Sequence, residues 1–488
     1  MKKRVISIVT FLVLFIVGFI YLNKVFISEH NFVNSIEDFK ELSEKTNIDV
    51  MFYGSSLSYT MFNPLIINKE CKTISFNFGS PSLYMELTDL IFEETLKYNK
   101  PKLIVLSSHF GTFLELKYKR QKGHQLWALN FVPNISINKW QKVTPVYKTN
   151  EYLSVAYPLI RNHNKWHDKD FLSLSRRKDF TSYNNRIYNL GYVGFFDTIS
   201  EGKELKYFNE FLKSGEKRNT NNKHIYKNQK AGFLNFVKIA KQNSVEVLVV
   251  TPPSMSTIYA DNTLYSELIE LCEVEKVPYL NMNTLYKELD LKPNEFRDHL
   301  HPNYYGNVKV SKYLSNYINK NFTLPDRSSE IIWKDYKKQL DSINDKIHLS
   351  NKTFKLNLNK PLNDIITVNS VHIERKFNKM IFKLKLDETK GLTEELSKYK
   401  LAVKVHPTEN ELNNLSENSK SKNRDYDGTN VAFDKNAKEV IIGLNTKIKK
   451  IKKIKIFLYN KEGYKGVVGQ PIIIEDLTFE LQQSIVDE

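Results

Sequence analysis

Three short segments of the chain carry side chains that fit one chemistry, covalent catalysis at a serine. The first is Tyr53-Gly54-Ser55-Ser56-Leu57, and the last is Arg297-Asp298-His299-Leu300-His301-Pro302. A serine hydroxyl becomes an effective nucleophile when a nearby base takes its proton. An aspartate three residues before a histidine reaches the ring from the same turn. It can then fix the tautomer and stabilise the imidazolium that forms. Ser56, His301 and Asp298 therefore suit the roles of nucleophile, base and orienting acid. Between them lies Asn77-Phe78-Gly79-Ser80, where Gly79 lets a backbone N–H approach a ligand closely. Blander readings exist for the same residues. Ser56 is also a preferred helix N-cap type, and Asp298, His299 and His301 could ligate a metal. The D-x-x-H spacing already accounts for Asp298 and His301. His299 is then a bystander, and neither metal nor cofactor is expected.

These segments need a scaffold that brings strand ends together. Residues 49–53 (DVMFY), 73–78 (TISFNF), 102–106 (KLIVL), 245–250 (VEVLVV) and 277–280 read as short apolar strands. Helical stretches at 83–98, 233–242 and 264–274 alternate with them. That alternation predicts an α/β fold, a doubly wound parallel sheet flanked by helices. Sites in such sheets lie at the carboxyl ends of the strands. A serine where a strand turns into a helix would meet free N–H groups and a positive dipole end there.

Residues 110–232 break the pattern with aromatic and basic clusters, including Arg176-Arg177 and residues 188–192 (YNLGY). They read as an insertion, either a lid or substrate platform or a decoration without function. Within it Arg161, His163 and His167 are candidate ligands for an anionic acceptor, with a solvated surface as the alternative. From residue 352 onward apolar and polar residues alternate, as in Met380-Ile-Phe-Lys-Leu-Lys-Leu386. Period-two strands predict a β-sandwich-like accessory domain over 352–488. A linker over 323–351 with a helix at 331–347 precedes it, and residues 409–430 read as a long polar loop. Residues 447–455 carry six lysines. They form either a polymer-binding stripe or the charged outer face of a turn and strand.

Lys2, Lys3 and Arg4 precede an uncharged run of 18 residues, 5–22. At about 1.5 Å per residue this spans roughly 27 Å, enough for a bilayer core. No small-residue cleavage site follows it. Residues 1–24 therefore read as an uncleaved signal anchor, 25–46 as a stalk and 47–322 as the catalytic domain. A cleaved secretion signal is the alternative. The cationic flank keeps the N-terminus cytoplasmic and places the rest outside. Of the 488 residues, 41% are apolar and 26% charged, which excludes bulk disorder and a polytopic membrane protein. The net charge of +17 favours an anionic partner. Export excludes nucleic acid and leaves an envelope polymer, anionic or neutral, or an anionic lipid surface. Cys71 and Cys272 are too few for a disulfide scaffold or a cysteine zinc module. They either pair or remain buried thiols.

In order and spacing, the three segments resemble the SGNH, or GDSL-like, hydrolase superfamily over residues 48–322. Gly54-Ser55-Ser56 is similar to the G-D-S motif, Asn77-Phe78-Gly79 to the second block, and Asp298 with His301 to the closing D-x-x-H. The resemblance implies that Ser56 is the nucleophile. It also implies that the N–H groups of Ser56 and Gly79 hold the oxyanion. Two departures stand out. Ser55 replaces the motif aspartate, and the third-block asparagine is absent. There the chain reads Ser107-Ser108-His109-Phe110, which makes His109 the candidate replacement donor. The missing asparagine, the anchor and the insertion together resemble a membrane-anchored branch that acts with membrane-bound O-acyltransferases. That branch implies an O-acyltransferase that takes a small acyl group onto serine and passes it to an extracytoplasmic polysaccharide. Its partner would be a membrane-bound O-acyltransferase. An esterase using the same site is the nearest alternative. A non-catalytic polymer-binding scaffold is the alternative that the missing asparagine favours.

Overall fold

Short runs of β-branched and aromatic residues, buried on both faces, build the centre of this molecule. The computed structural model describes residues 2–27, 31–116, 119–167, 186–199, 203–219, 224–261, 263–350, 352–376, 379–407, 426–427, 430–434, 438–445, 451–460 and 467–475. It divides into two compact units, residues 1–195 with 210–337 and residues 196–209 with 338–488.

The first unit opens with α1 (Lys2–Val25), whose apolar window has no buried residue and a mean hydropathy of 2.9. Next comes α2 (Asn31–Lys45). The expected stalk over 25–46 is not free-standing. Phe32 and Phe39 of α2 are fully buried, and each packs edge-on to Phe78 with ring centroids 5.0 Å apart. Burying a phenylalanine contributes about 1.5–3 kcal/mol, enough to hold a short amphipathic helix on the sheet.

Strand β1 (Val50–Tyr53) leads into the one-turn helix α3 (Ser56–Tyr59) and then α4 (Pro64–Cys71). Asn63 caps α4 by accepting the Leu65 N–H at 3.0 Å, and Pro64 occupies the first helical position. Strand β2 (Ser75–Asn77), helix α5 (Met85–Thr95) and strand β3 (Leu103–Ser107) follow. All three strands are buried throughout, as strands covered by helices must be. The insertion contributes α6 (Lys119–Leu129), α7 (Ile137–Val143), α8 (Tyr152–Ala156) and α9 (Pro158–Arg161). It also contributes a hairpin of β4 (Arg186–Asn189) and β5 (Tyr192–Phe195), and a further helix, Lys203–Ser214, follows before the core resumes. Arg176 and Arg177 lie outside the described residues.

The core resumes with α10 (Lys227–Gln242), β6 (Glu246–Thr251), α11 (Thr263–Val274), β7 (Tyr279–Asn281) and α12 (Tyr304–Asn321). The sheet order is β2-β1-β3-β6-β7, with every pair parallel. The order reverses between β1 and β3, which opens a crevice beyond their carboxyl ends. Cys71 and Cys272 are free and buried, and burial pushes their thiols up to about 11 and about 12. The helix α13 (Ile331–Ser350) covers the connection expected at 331–347, and in the first unit its Trp333 indole donates to the Asn68 carbonyl at 2.7 Å.

The second unit holds two antiparallel sheets around one apolar core. One has five strands, β8 (Lys352–Pro361), β9 (Thr367–Lys376), β10 (Lys379–Leu386), β14 (Glu439–Asn445) and β13 (Asn430–Asp434), in that spatial order. The other has four, β12 (Tyr426–Asp427), β11 (Tyr399–Pro407), β15 (Ile451–Asn460) and β16 (Val467–Glu475). Most of the loop expected over 409–430 lies outside the described residues, as do Lys447, Lys449 and Lys450. Lys452, Lys453 and Lys455 sit on β15 beside the buried Ile451, Ile454 and Ile456, as the outer face of a strand would.

Candidate active site

Four strand-end loops of the first unit converge at the β1/β3 crevice. Gly54 makes the first possible. Its φ is +139°, and a side chain there would sit 2.7 Å from the Ser107 carbonyl oxygen of β3. The chain therefore leaves β1 hard against β3 and places Ser56 at the mouth of the crevice. The helix α3 is only one turn long, so its help to an anion comes from its first N–H groups.

Ser56 Oγ lies 2.8 Å from Nε2 of His301. On the other side of the ring, Nδ1 lies 2.9 Å and 3.0 Å from the two carboxylate oxygens of Asp298. Since Asp298 accepts there, Nδ1 carries the proton and Nε2 is free to take another. Asp298 Oδ1 also accepts the N–H groups of Leu300 and His301 at 2.8 and 2.9 Å. Burial by itself would raise the Asp298 carboxyl. The hydrogen bond and charge of His301, with the two N–H groups, outweigh burial and hold it well below the usual carboxylate range. The His301 side chain is 15% exposed and that of Asp298 38%.

Backbone contacts fix this turn from both sides. Arg297 N–H donates to the His301 carbonyl at 2.8 Å, and Ser256 N–H donates to the His299 carbonyl at 2.9 Å. The His299 side chain points away to solvent and joins no part of the arrangement. Helix α12 ties the histidine turn to the serine loop. Its Ser311 hydroxyl donates to the Met61 carbonyl at 3.2 Å and accepts the Asn63 N–H at 3.0 Å. Asn307 Nδ2 donates to the Thr60 carbonyl.

The second block behaves differently from its expected role. Asn77 is buried, and its side chain clamps the serine loop. Its Nδ2 donates to the carbonyls of Ser58 and Phe62, each at 2.9 Å. Its Oδ1 accepts the Ser58 hydroxyl at 3.2 Å and the Gly79 N–H at 3.1 Å. The Gly79 N–H, expected as an oxyanion donor, is thus engaged by the Asn77 side chain. The insertion's hairpin braces this clamp. Asn77 N–H donates to the Leu190 carbonyl at 2.9 Å. Gly191, at φ +80°, allows that approach, since a side chain there would sit 1.8 Å from the Asn77 carbonyl oxygen.

His109 follows β3 and is 7% exposed. Its Nδ1 accepts the Gly111 N–H at 3.2 Å, which leaves the proton on Nε2. That Nε2 is buried with no hydrogen-bond partner. Burial first, and then the charge of His301, lower the ring to about 3. His109 therefore stays neutral and keeps an unspent N–H within electrostatic reach of His301.

Arg161, His163 and His167 do not join this constellation. Arg161 donates to Asn130 Oδ1 at 2.9 Å and to the Ser154 carbonyl at 3.4 Å. His163 Nδ1 lies 3.0 Å from the Ile160 carbonyl, and His167 is exposed. Their segment docks on the end of α1. Leu159 N–H donates to Asn23 Oδ1 at 3.2 Å, and Asn162 Nδ2 donates to the Phe26 carbonyl at 2.7 Å. Sequence reasoning missed Asn77 as a clamp and Arg297 as a neighbour of the turn. The Arg297 guanidinium stacks 3.8 Å from the Phe195 ring centroid. Among the described residues no cluster of three His, Cys, Asp or Glu side chains could hold a metal ion.

No protein-family model matches the chain, and no curated protein matches it. Six chains of solved structures are similar to it, among them two from Bacteroides. One is a candidate acylhydrolase of Bacteroides fragilis, 12% identical, covering 58% of this chain and 95% of that one, with a TM-score of 0.28. The other is a GDSL-like lipase of Bacteroides thetaiotaomicron, 10% identical, covering 59% of this chain and 98% of that one, with a TM-score of 0.27. At such scores these likenesses carry no weight beside the geometry of Ser56, His301 and Asp298.

Proposed function

We propose that this chain is a serine-dependent acyltransferase of the SGNH type, held to a membrane by α1 and acting on an extracytoplasmic polysaccharide. The observation that carries the reading is the continuous hydrogen-bonded line from Ser56 Oγ through the His301 ring to Asp298.

The steps follow from that line. Ser56 Oγ attacks the acyl carbonyl while its proton passes to His301 Nε2. The N–H of Ser56 and the Nε2–H of His109 stabilise the oxyanion that forms. His109 supplies the donor that the absent third-block asparagine would have given. The tetrahedral intermediate collapses, the bond to the leaving group breaks, and that group takes the proton from His301. A sugar hydroxyl then gives its proton to His301 and attacks the acyl-serine. A second oxyanion forms and collapses, Ser56 leaves as the alkoxide, and the proton returns to it from His301. Asp298 stays ionised throughout and balances the imidazolium. A membrane-bound O-acyltransferase is the partner that would supply the acyl group.

Hydrolysis is the second reading, because the part-exposed Asp298 and His301 admit water to the same acyl-enzyme. A time course with acyl donor separates the two. Product formation that depends on added glycan supports transfer. Equal release of free acid with and without glycan supports the esterase. Surface-polymer acylation that persists in Ser56→Ala would overturn transfer, and turnover of the acyl donor that persists in that variant would overturn both.

A further inference from the structure

The molecule has a second concave site, far simpler than the first in its chemistry. A cavity of about 460 Å³ opens where α1 meets the insertion. Phe19, Ile20 and Lys24 of α1 form one wall, while Asn130, Lys139 and Tyr157 line the other. The walls are fastened together by the Asn23 and Asn162 hydrogen bonds already described. Phe19 also packs edge-on to Tyr157, with centroids 5.0 Å apart. The uncharged run of 18 residues before Asn23 is long enough to cross the hydrocarbon. The cavity then lies at headgroup depth, with its apolar wall continuous with the anchor.

Among the described residues, the other wall has positive charge without a carboxylate hydrogen-bonded to it. Lys139 is 2% exposed, and its ammonium donates to the carbonyls of Leu129 and Val132 at 2.9 and 2.8 Å and to Asn134 Oδ1 at 2.7 Å. All three acceptors are neutral. Arg161, whose charge reaches Lys139, likewise donates only to neutral oxygens. Burial lowers the two groups to about 8 and about 10. The carboxylate that Lys139 feels, Glu94, is engaged by Lys97 at 2.6 Å. Asn130 spends its Oδ1 on Arg161, and its Nδ2 is buried with no partner. Buried cations short of counter-charge, beside an unspent donor, favour an anionic oxygen ligand.

We propose that this cavity holds the headgroup of an anionic phospholipid, with its phosphodiester against Asn130 Nδ2 and its acyl chains along Phe19 and Ile20. This rests on reading α1 as a membrane span. Lys139 in the wall and Arg161 behind it supply the positive charge. Lipid binding here would fix the catalytic unit at a set height above the membrane rather than leave it on a tether.

The test uses the full chain in zwitterionic detergent, titrated with phosphatidylglycerol or phosphatidylcholine and read by intact-complex mass spectrometry. Substituting Lys139 endangers the fold, because it holds two backbone carbonyls. Asn130→Asp keeps the oxygen that accepts Arg161 and replaces only the donor. Phosphatidylglycerol is expected to bind about tenfold more tightly than phosphatidylcholine, and Asn130→Asp should remove most of that preference. Equal affinity for both lipids, or unchanged preference in Asn130→Asp, would overturn the site. Displacement by millimolar inorganic phosphate would show an anion site rather than a lipid site, and would overturn it too. Ser56→Ala should bind lipid normally, so failure here is distinct from failure of the catalytic reading.

Discussion

Two regions of the first unit carried candidate functional residues in the sequence: the strand ends around Ser56, and the aromatic and basic segment around Arg161–His167. Their residue types overlap, yet the structure uses them in opposite ways. At the strand ends the reactive atoms are held in place by groups other than themselves. Asn77, Asn307 and Ser311 spend their hydrogen bonds on backbone, so that Ser56 Oγ and His109 Nε2 need not. In the other segment the functional groups are themselves the fasteners. Arg161, His163 and the Trp166 indole are committed to backbone carbonyls or a neighbouring amide. A site is marked less by which residues it contains than by which of their polar atoms are left unspent.

Substitutions at the two regions should sharpen that contrast. The largest effect is expected at the orienting acid. Asp298→Asn keeps the shape but favours the wrong His301 tautomer, and should lower the acyl-transfer rate about 10⁴-fold in single-turnover kinetics. Next is His109→Ala, which removes one oxyanion donor and should lower kcat about 10²- to 10³-fold. Because burial holds His109 near 3, the ratio of wild-type to His109→Ala rates should stay flat from about pH 5 to pH 9. A ratio that moves with pH in that window would show that His109 titrates and does not serve as a fixed neutral donor. Asn77→Ala leaves buried partners unmet on two loops and should cost about 2–4 kcal/mol in denaturant unfolding, with activity falling as the serine loop loosens. The smallest effects belong to the other segment. His163→Ala and His167→Ala should leave kcat and KM for the glycan within about twofold, as expected of exposed surface positions. A large rise in KM there would return the segment to substrate binding.

The acid pH limit follows from Asp298. Its carboxyl is held below the ordinary value in the folded chain, so its contribution to stability is complete above the ordinary carboxylate range. That contribution is lost as pH falls through the lower, folded value. Acid unfolding of Asp298→Asn should therefore be less steep than that of wild type.

What could be read in advance was what depends on short range. The D-x-x-H turn closes within four residues, and Ser56 stands directly after an apolar strand, so both were visible as local patterns. The parallel sheet showed in its continuous apolar runs, and the second unit in its period-two strands. The rest depends on partners distant in sequence. The Gly79 N–H is spent because Asn77 turns back on it while holding α3. The His109 tautomer depends on Gly111 and on burial. The supposed stalk folds down because Phe78 lies beneath Phe32 and Phe39. None of these could be inferred from spacing alone.

The central claim is that His301, oriented by Asp298, activates Ser56. A fluorophosphonate probe tests it directly, with the labelled residue identified by peptide mass spectrometry. Labelling should fall on Ser56, vanish in Ser56→Ala and slow by orders of magnitude in His301→Ala. A wild-type chain that remains unlabelled, or a label on another residue, would contradict it.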